Sequence, residues 1–247
     1  MEPYKIKVII PIRQSEAERF LSGFESEINQ VIGSDFAVDY TALDSQATAF
    51  IQSRASELWD SRSIVELAIE AQKEGFSGVF VNCFGEPGVE VLKEILDIPV
   101  VGGFAPAMMN AMMVSSRLSI VTVVDSVVPM LWDLSRKMGL GNQLASVRKV
   151  DIPVTELTSD DLLVEQLVKE SKIAIDQQGA EAIVLGCTGM LKVHQEVSSQ
   201  LSDSYNRYVP VIAPVGAAIG ILQNLIKNDL SASRLTYYKP TEFGVEP

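Results

Sequence analysis

The chain has 247 residues, 47% hydrophobic and 21% charged, with 32 acids against 20 bases and a formal net charge of -12. This length allows one large domain or two small lobes with a sizeable core, and the composition is that of an ordinary globular protein. The acidity speaks against nucleic acid as the main partner, because a phosphate backbone would be repelled over most of the surface.

Short apolar runs alternate with helical patterns along the chain. KVIIPI at 7–12 predicts a buried strand; no small-residue cleavage site follows it, so it is not read as a secretory signal. A helix is predicted over 15–30, a weaker strand around VDY at 38–40, and a helix over 62–74. GVFVNCF at 78–84 predicts a second buried strand, and IPVVGG at 98–103 a weaker one. The longest uncharged window lies between Asp97 and Arg117 but contains Pro99, Gly102, Gly103, Pro106 and Asn110, which argues against a membrane span. Its methionine-rich part, AMMNAMMV at 107–114, reads as core or inter-lobe filling.

LSIVTVV at 118–124 and EAIVLGC at 181–187 predict two more buried strands. Helices are expected over 127–138, 159–177 and 215–227, with VPVIAP at 209–214 a further weak strand. The helix over 159–177 opens with Ser159, Asp160 and Asp161, a capping side chain followed by first-turn acids. Val/Ile-rich strands alternating with helices mean βαβ units and an α/β fold with parallel sheets.

One pattern occurs twice. The chain's two cysteines each end an apolar run, each stands eight residues after a glycine (Gly75 to Cys83, Gly179 to Cys187), and each is followed by a glycine-containing turn. The later phrases PVVGGFAPAMM and PVIAPVGAAIG are related as well. The simplest reading is two pseudosymmetric lobes, each a parallel sheet flanked by helices, with a cleft between them. The lobes are expected at 1–105 plus 213–247, carrying Cys83, and at 106–212, carrying Cys187.

Ligands of parallel sheets bind beyond the carboxyl ends of the strands, where both cysteines fall. Two free thiols facing each other suit one chemistry well: one thiolate removes a proton beside a carbonyl, and the opposite thiol returns one to the other face. A helix N-terminus after each turn would favour thiolate. A single free cysteine is usually a small buried hydrophobe; the duplicated placement favours function. With one histidine and no closely spaced ligand pairs, no metal site is expected, and no thioredoxin, dinucleotide or P-loop motif occurs. His194, Asp60, Glu66 and Glu86 read as surface or satisfied side chains. A chain without a secretory signal is expected in the cytoplasm, with its thiols free.

CFGEPG at 83–88 and LGCTGM at 185–190 resemble the hydantoin racemase branch of the aspartate/glutamate racemase superfamily. SIVTV, SVVPML, SVRKVDIPVTEL and LSASRLTYYKP extend the resemblance from about Gly75 to the C-terminus. It implies cofactor-independent racemisation between Cys83 and Cys187, and turns around Asn82, Phe84, Gly85, Thr188 and Gly189 that hold the substrate. Thr122 matches a threonine facing the same cleft. The implied substrates are five-membered ureide rings, such as 5-substituted hydantoins or allantoin, and the implied assembly is a homo-oligomer.

The first third departs from that branch. Ile10, Pro11, Ile12 and Arg13 replace the usual Asn-Pro-Asn segment, Gln52 stands where Glu is usual, and Ala213 replaces an acid. If Arg13 enters the cleft, an anionic substrate is expected. Amino-acid racemisation, cis–trans isomerisation, decarboxylation and non-catalytic binding of a small molecule remain the alternatives.

Overall fold

The computed structural model describes residues 2–157 and 161–240. The first half runs β1 (Tyr4–Arg13), α1 (Gln14–Val31), β2 (Phe36–Leu43), α2 (Arg54–Lys73), β3 (Gly78–Val81), α3 (Val89–Ile95), β4 (Val100–Val101) and α4 (Phe104–Val114). The second half runs β5 (Leu118–Thr122), α5 (Val128–Lys137), β6 (Leu144–Lys149), α6 (Asp161–Gln178), β7 (Ala182–Leu185), α7 (His194–Tyr205), β8 (Val211–Ile212) and α8 (Pro214–Lys227). All strand pairs are parallel, and the two four-stranded sheets have orders β2-β1-β3-β4 and β6-β5-β7-β8. Adding four to each strand number of the first sheet reproduces the second, so the duplicated cysteine pattern reflects a duplicated topology.

Alternation along the strands explains why the two sheets share a core. Ile6, Val8 and Ile10 of β1, Phe80 of β3, Val121 of β5, and Ile183 and Leu185 of β7 join one central cluster with the apolar faces of α1, α6, α7 and α8. The intervening residues point away from it. Ile9, Val79 and Val81 pack beneath α2 and α3, whereas Leu118, Ile120 and Val184 pack beneath α4 and α5. The inner strands β3, β5 and β7 are therefore buried on both faces, which is why their sequences are nearly unbroken apolar runs. α4 packs on β7 and β8, while α8 packs on β3 and β4, so each sheet receives a helix from the other half of the chain.

Local chemistry moved several predicted boundaries. α2 starts at Arg54, not 62, because Ser53 accepts from the Ser56 amide at 3.1 Å while the Ser56 hydroxyl accepts from the Ser53 amide at 3.1 Å. A serine does here the work usually done by Glu or Gln at that position, so the start signal was weak. The methionine-rich stretch is helical, with Ala107, Met108 and Ala111 buried and Met109 and Met113 exposed. β6 went unread because its residues LASVRK alternate in burial and carry polar groups, as suits a sheet edge. Ser159 and Asp160 lie outside the described residues; the helix they were expected to cap is present as α6.

One close approach depends on glycine. A Cβ on Gly186, the residue between β7 and Cys187, would lie 2.7 Å from the Ile120 and Thr122 side chains and 3.0 Å from the Thr122 Cα. Gly186→Ala is therefore expected to lower the unfolding free energy by about 1–3 kcal/mol. A lower urea midpoint with an unchanged slope is the expected result; an unchanged midpoint contradicts the tight contact.

Candidate active site

β3 and β7 occupy matching places in their sheets, and the two ends continue alike. The Asn82 amide donates to the Ile9 carbonyl oxygen at 2.8 Å, and the Gly186 amide donates to the Val121 carbonyl oxygen at 2.8 Å. The chain then leaves each sheet in a tight turn that carries a cysteine. On the first turn the Cys83 carbonyl oxygen accepts from the Gly103 amide at 3.0 Å; on the second, the Met190 amide donates to the Cys187 carbonyl oxygen at 3.2 Å. The Thr188 hydroxyl joins the two turns by donating to the Asn82 carbonyl oxygen at 3.2 Å.

Between the turns lies a cavity of about 60 Å³ that both Cys83 and Cys187 line, together with Asn82, Thr188 and Gly189. That volume is several times what one water needs. The rest of its wall is apolar: Ile10, Pro11 and Ile12 from the end of β1, Phe20 and Phe24 from α1, Phe50 and Ile51 from the loop after β2, and Val154. Among the described residues no charged side chain lines it. Asn82 is 3% exposed, yet neither its amide nitrogen nor its amide oxygen has a hydrogen-bond partner. A buried primary amide left unsatisfied costs about 1–3 kcal/mol, and its position in the wall marks a place for a ligand with both donor and acceptor.

Burial dominates the thiols. Desolvation pushes Cys83 up to about 12, with the Gly85 amide pulling down and the charges of Cys187, Glu57 and Glu86 adding to the rise. Desolvation likewise pushes Cys187 up to about 11 against hydrogen bonds from the Gly189 and Met190 amides; the Gly189 amide lies 3.4 Å from the sulfur. The expectation that helix N-termini would acidify both thiols is corrected here. α3 begins at Val89 and α7 at His194, each beyond a full turn of intervening chain, so the macrodipole acts weakly on sulfur and desolvation outweighs it, although both cysteines keep some solvent exposure.

Of the residues singled out from sequence, Asn82, Cys83, Cys187, Thr188 and Gly189 share the cavity. Four others lie elsewhere. Arg13 ends β1 with its amide donating to the Thr48 carbonyl oxygen at 3.1 Å, and its Nε is buried without a partner outside the cavity wall. Phe84 turns away to pack edge-on against Phe104, ring centroids 5.4 Å apart. Gly85 reaches the site only through its amide, beside the Cys83 sulfur. Thr122 is fully buried and donates to the Gly186 carbonyl oxygen at 3.0 Å, so it braces the strand end without lining the cavity.

Sequence reading missed the apolar wall, although Phe20 and Phe24 stand four apart on one helix, a visible signal. It also read Asp60 as a solvated acid. Asp60 is 2% exposed and accepts from the Thr48 amide at 3.1 Å, anchoring the loop that carries Phe50. Glu27, 5% exposed and held protonated more readily by desolvation, accepts from the Lys192 amide at 2.6 Å and ties the Cys187 turn to α1. Among the described residues no cluster of His, Cys, Asp and Glu is placed to hold a metal ion, and no helix is long and apolar enough to cross a membrane.

The family model for Asp/Glu/hydantoin racemases matches residues 17–222. A hydantoin racemase of Paenarthrobacter aurescens is 33% identical over 201 residues, covering 80% of this chain and 83% of that protein. A hydantoin racemase of Pseudomonas sp. strain NS671 is 28% identical, covering 96% of this chain and 92% of that protein. The crystal structure of an allantoin racemase from Pseudomonas fluorescens superposes with a TM-score of 0.85 at 26% identity, covering 98% of this chain and all of that one. A chain with this duplicated topology, and with two cysteine turns closing one cavity, belongs to the Asp/Glu/hydantoin racemase family and, within its hydantoin racemase branch, is a racemase.

Proposed function

We propose that this racemase inverts C5 of 5-monosubstituted hydantoins bearing an apolar substituent, with Cys83 and Cys187 as the acid–base pair and no cofactor. The observation that carries the reading is that both thiols, an unpartnered amide and an otherwise apolar, uncharged wall enclose one cavity. The lobes in this reading are residues 1–105 with 213–247, and residues 106–212, and the cavity lies at their junction.

One thiolate takes the C5 proton, the electron pair moves into the adjacent C4 carbonyl, and the ring becomes an enolate. The opposite thiol then gives its proton to C5 on the other face as the pair returns from oxygen. One S–H bond forms and the other breaks, so the two cysteines end with their roles exchanged. The Asn82 amide nitrogen supplies a donor for the enolate oxygen, and its amide oxygen accepts from a ring N–H. The Thr188 proton is engaged on the Asn82 carbonyl, so its hydroxyl has lone pairs to offer the ring. Such a donor gains strength in a site without competing water.

The wall argues for the substituent. A free amino acid would bring two opposite charges into a cavity that offers no charged partner. Allantoin is favoured by the close likeness to an allantoin racemase structure, but its ureido substituent would need several hydrogen-bond partners where Ile12, Phe20, Phe24 and Phe50 stand. An aromatic or branched aliphatic substituent loses nothing there.

Single enantiomers of 5-benzylhydantoin and allantoin, followed by polarimetry and by deuterium uptake at C5 in D2O, test the reading. Benzylhydantoin is expected to racemise with the larger kcat/KM, and faster turnover of allantoin would reverse the substrate assignment. Cys83→Ser and Cys187→Ser are each expected to slow racemisation by about 10²–10⁴-fold. A single variant that keeps wild-type turnover removes the two-thiol mechanism.

Asn82→Ala is expected to lower kcat by about 10²-fold, the usual effect of losing one oxyanion donor, with CD confirming the fold. A change confined to KM would limit Asn82 to binding. Because both thiols are raised, they are held protonated near neutrality and thiolate accumulates only as pH climbs. Iodoacetamide alkylation of each cysteine is therefore expected to accelerate about tenfold per pH unit from pH 7 to 9. A plateau inside that window would mean an acidified thiol.

A further inference from the structure

Glu86 follows Cys83 by three residues, and the proposed mechanism leaves it without a role. Its backbone is in the left-handed region at φ 58, which costs a side-chain-bearing residue energy unless the surroundings hold it there. What holds it is α4. The Glu86 carboxylate accepts from the Ala105 amide in the first turn of that helix at 2.8 Å. The Glu86 backbone amide donates to the Cys83 carbonyl oxygen at 3.3 Å, the same oxygen that accepts from Gly103 at the α4 N-cap.

The side chain lies so flat on the helix start that a Cβ on Gly102 would fall 2.4 Å from the Glu86 Cγ. One carboxylate therefore occupies the positive end of α4 and clamps the cysteine turn to it.

The charges around this carboxylate are otherwise engaged. Glu86 borders a depression of about 650 Å³ on the far side of the turn from the substrate cavity. α3 brings Glu90 and Lys93, paired at 3.0 Å, and α5 brings Lys137, 2.7 Å from Glu90. α2 brings Arg54, which is bonded to Asp133, and Glu57, raised by desolvation against the charge of Arg54. Tyr237 of the C-terminal segment takes Lys93 over its ring at 5.5 Å. Among the described residues no ion pair reaches Glu86; Lys93 acts on it from a distance, and its direct partner is the Ala105 amide.

We propose that Glu86 is the positioning residue of the Cys83 thiol: its carboxylate fixes the Cys83 turn on the start of α4, so that Cys83 and not Cys187 depends on it. Desolvation raises Glu86 itself, opposed by the Ala105 amide and Lys93. Its charge in turn is one of the influences that raise Cys83 and is absent from those acting on Cys187. Its bearing on racemisation rests on the proposed two-thiol reading; the positioning itself does not.

Site-resolved alkylation by iodoacetamide at pH 8, read by peptide mass spectrometry, separates the two. Glu86→Gln keeps an oxygen for the Ala105 amide and removes the charge. Cys83 is then expected to react about two- to threefold faster, as its turn loosens and a nearby negative charge is lost. Cys187 should be unchanged. Gly102→Ala, which pushes the carboxylate off the helix, should change Cys83 in the same direction and serves if Glu86→Gln does not fold.

Equal acceleration of both thiols in the folded variants would mean general loosening, and an unchanged Cys83 rate would mean that the charge has no hold on it; either overturns the proposal. An enzyme inactive on every hydantoin would overturn the proposed substrate and leave the alkylation result standing.

Discussion

The hydrogen bond from the Thr188 hydroxyl to the Asn82 carbonyl oxygen joins the two halves of the site. It is short-range, but it is possible only because the two sheets bury alternate faces against a common core and so direct β3 and β7 toward the same cavity. A strand displaced by one residue in either sheet would exchange its inward and outward side chains. The cysteine beyond it would then leave the cavity. Register in the two sheets and the meeting of the two thiols are thus one constraint, and the close passage of Gly186 over Ile120 and Thr122 is its tightest point.

The chain carries twelve surplus negative charges, yet among the described residues no Asp, Glu, Lys, Arg or His lines the cavity. Charged side chains near the site act from behind it. Asp60 holds the loop of Phe50, Glu27 holds the Cys187 turn, and Glu86 holds the Cys83 turn, each carboxylate accepting from a backbone amide. An amide partner satisfies a buried carboxylate without bringing a second side chain into the core. The result is a chamber whose described lining is uncharged and mostly apolar, with the two cysteine turns tied to the surrounding helices.

Much of this was legible in the sequence. Unbroken Val/Ile runs followed by helical periodicity predicted parallel sheets, because both faces of such strands must be apolar. The paired glycine, strand, cysteine and turn pattern predicted a duplication, and the resemblance to hydantoin racemases named the branch that the family comparison supports. Cys83 and Cys187 came from the repeat, and Asn82, Thr188 and Gly189 from that resemblance; all five line the cavity. The cavity's apolar wall was not found, since Ile12, Phe20, Phe50 and Val154 come from four separate stretches and look like ordinary core residues in each.

Sequence by itself determined the fold class, the repeat and the identity of the thiols, because those depend on local patterns of period two and three to four and on a rare residue placed twice. Tertiary structure decided what surrounds the thiols. Whether Arg13 enters the cavity, whether Phe84 faces the ligand or Phe104, and whether the cysteines feel a helix end or an apolar enclosure are set by packing between elements far apart in the chain. Desolvation in particular has no sequence signature: it is the sum of everything that excludes water from a sulfur atom, and that sum exists only once both lobes have closed around it.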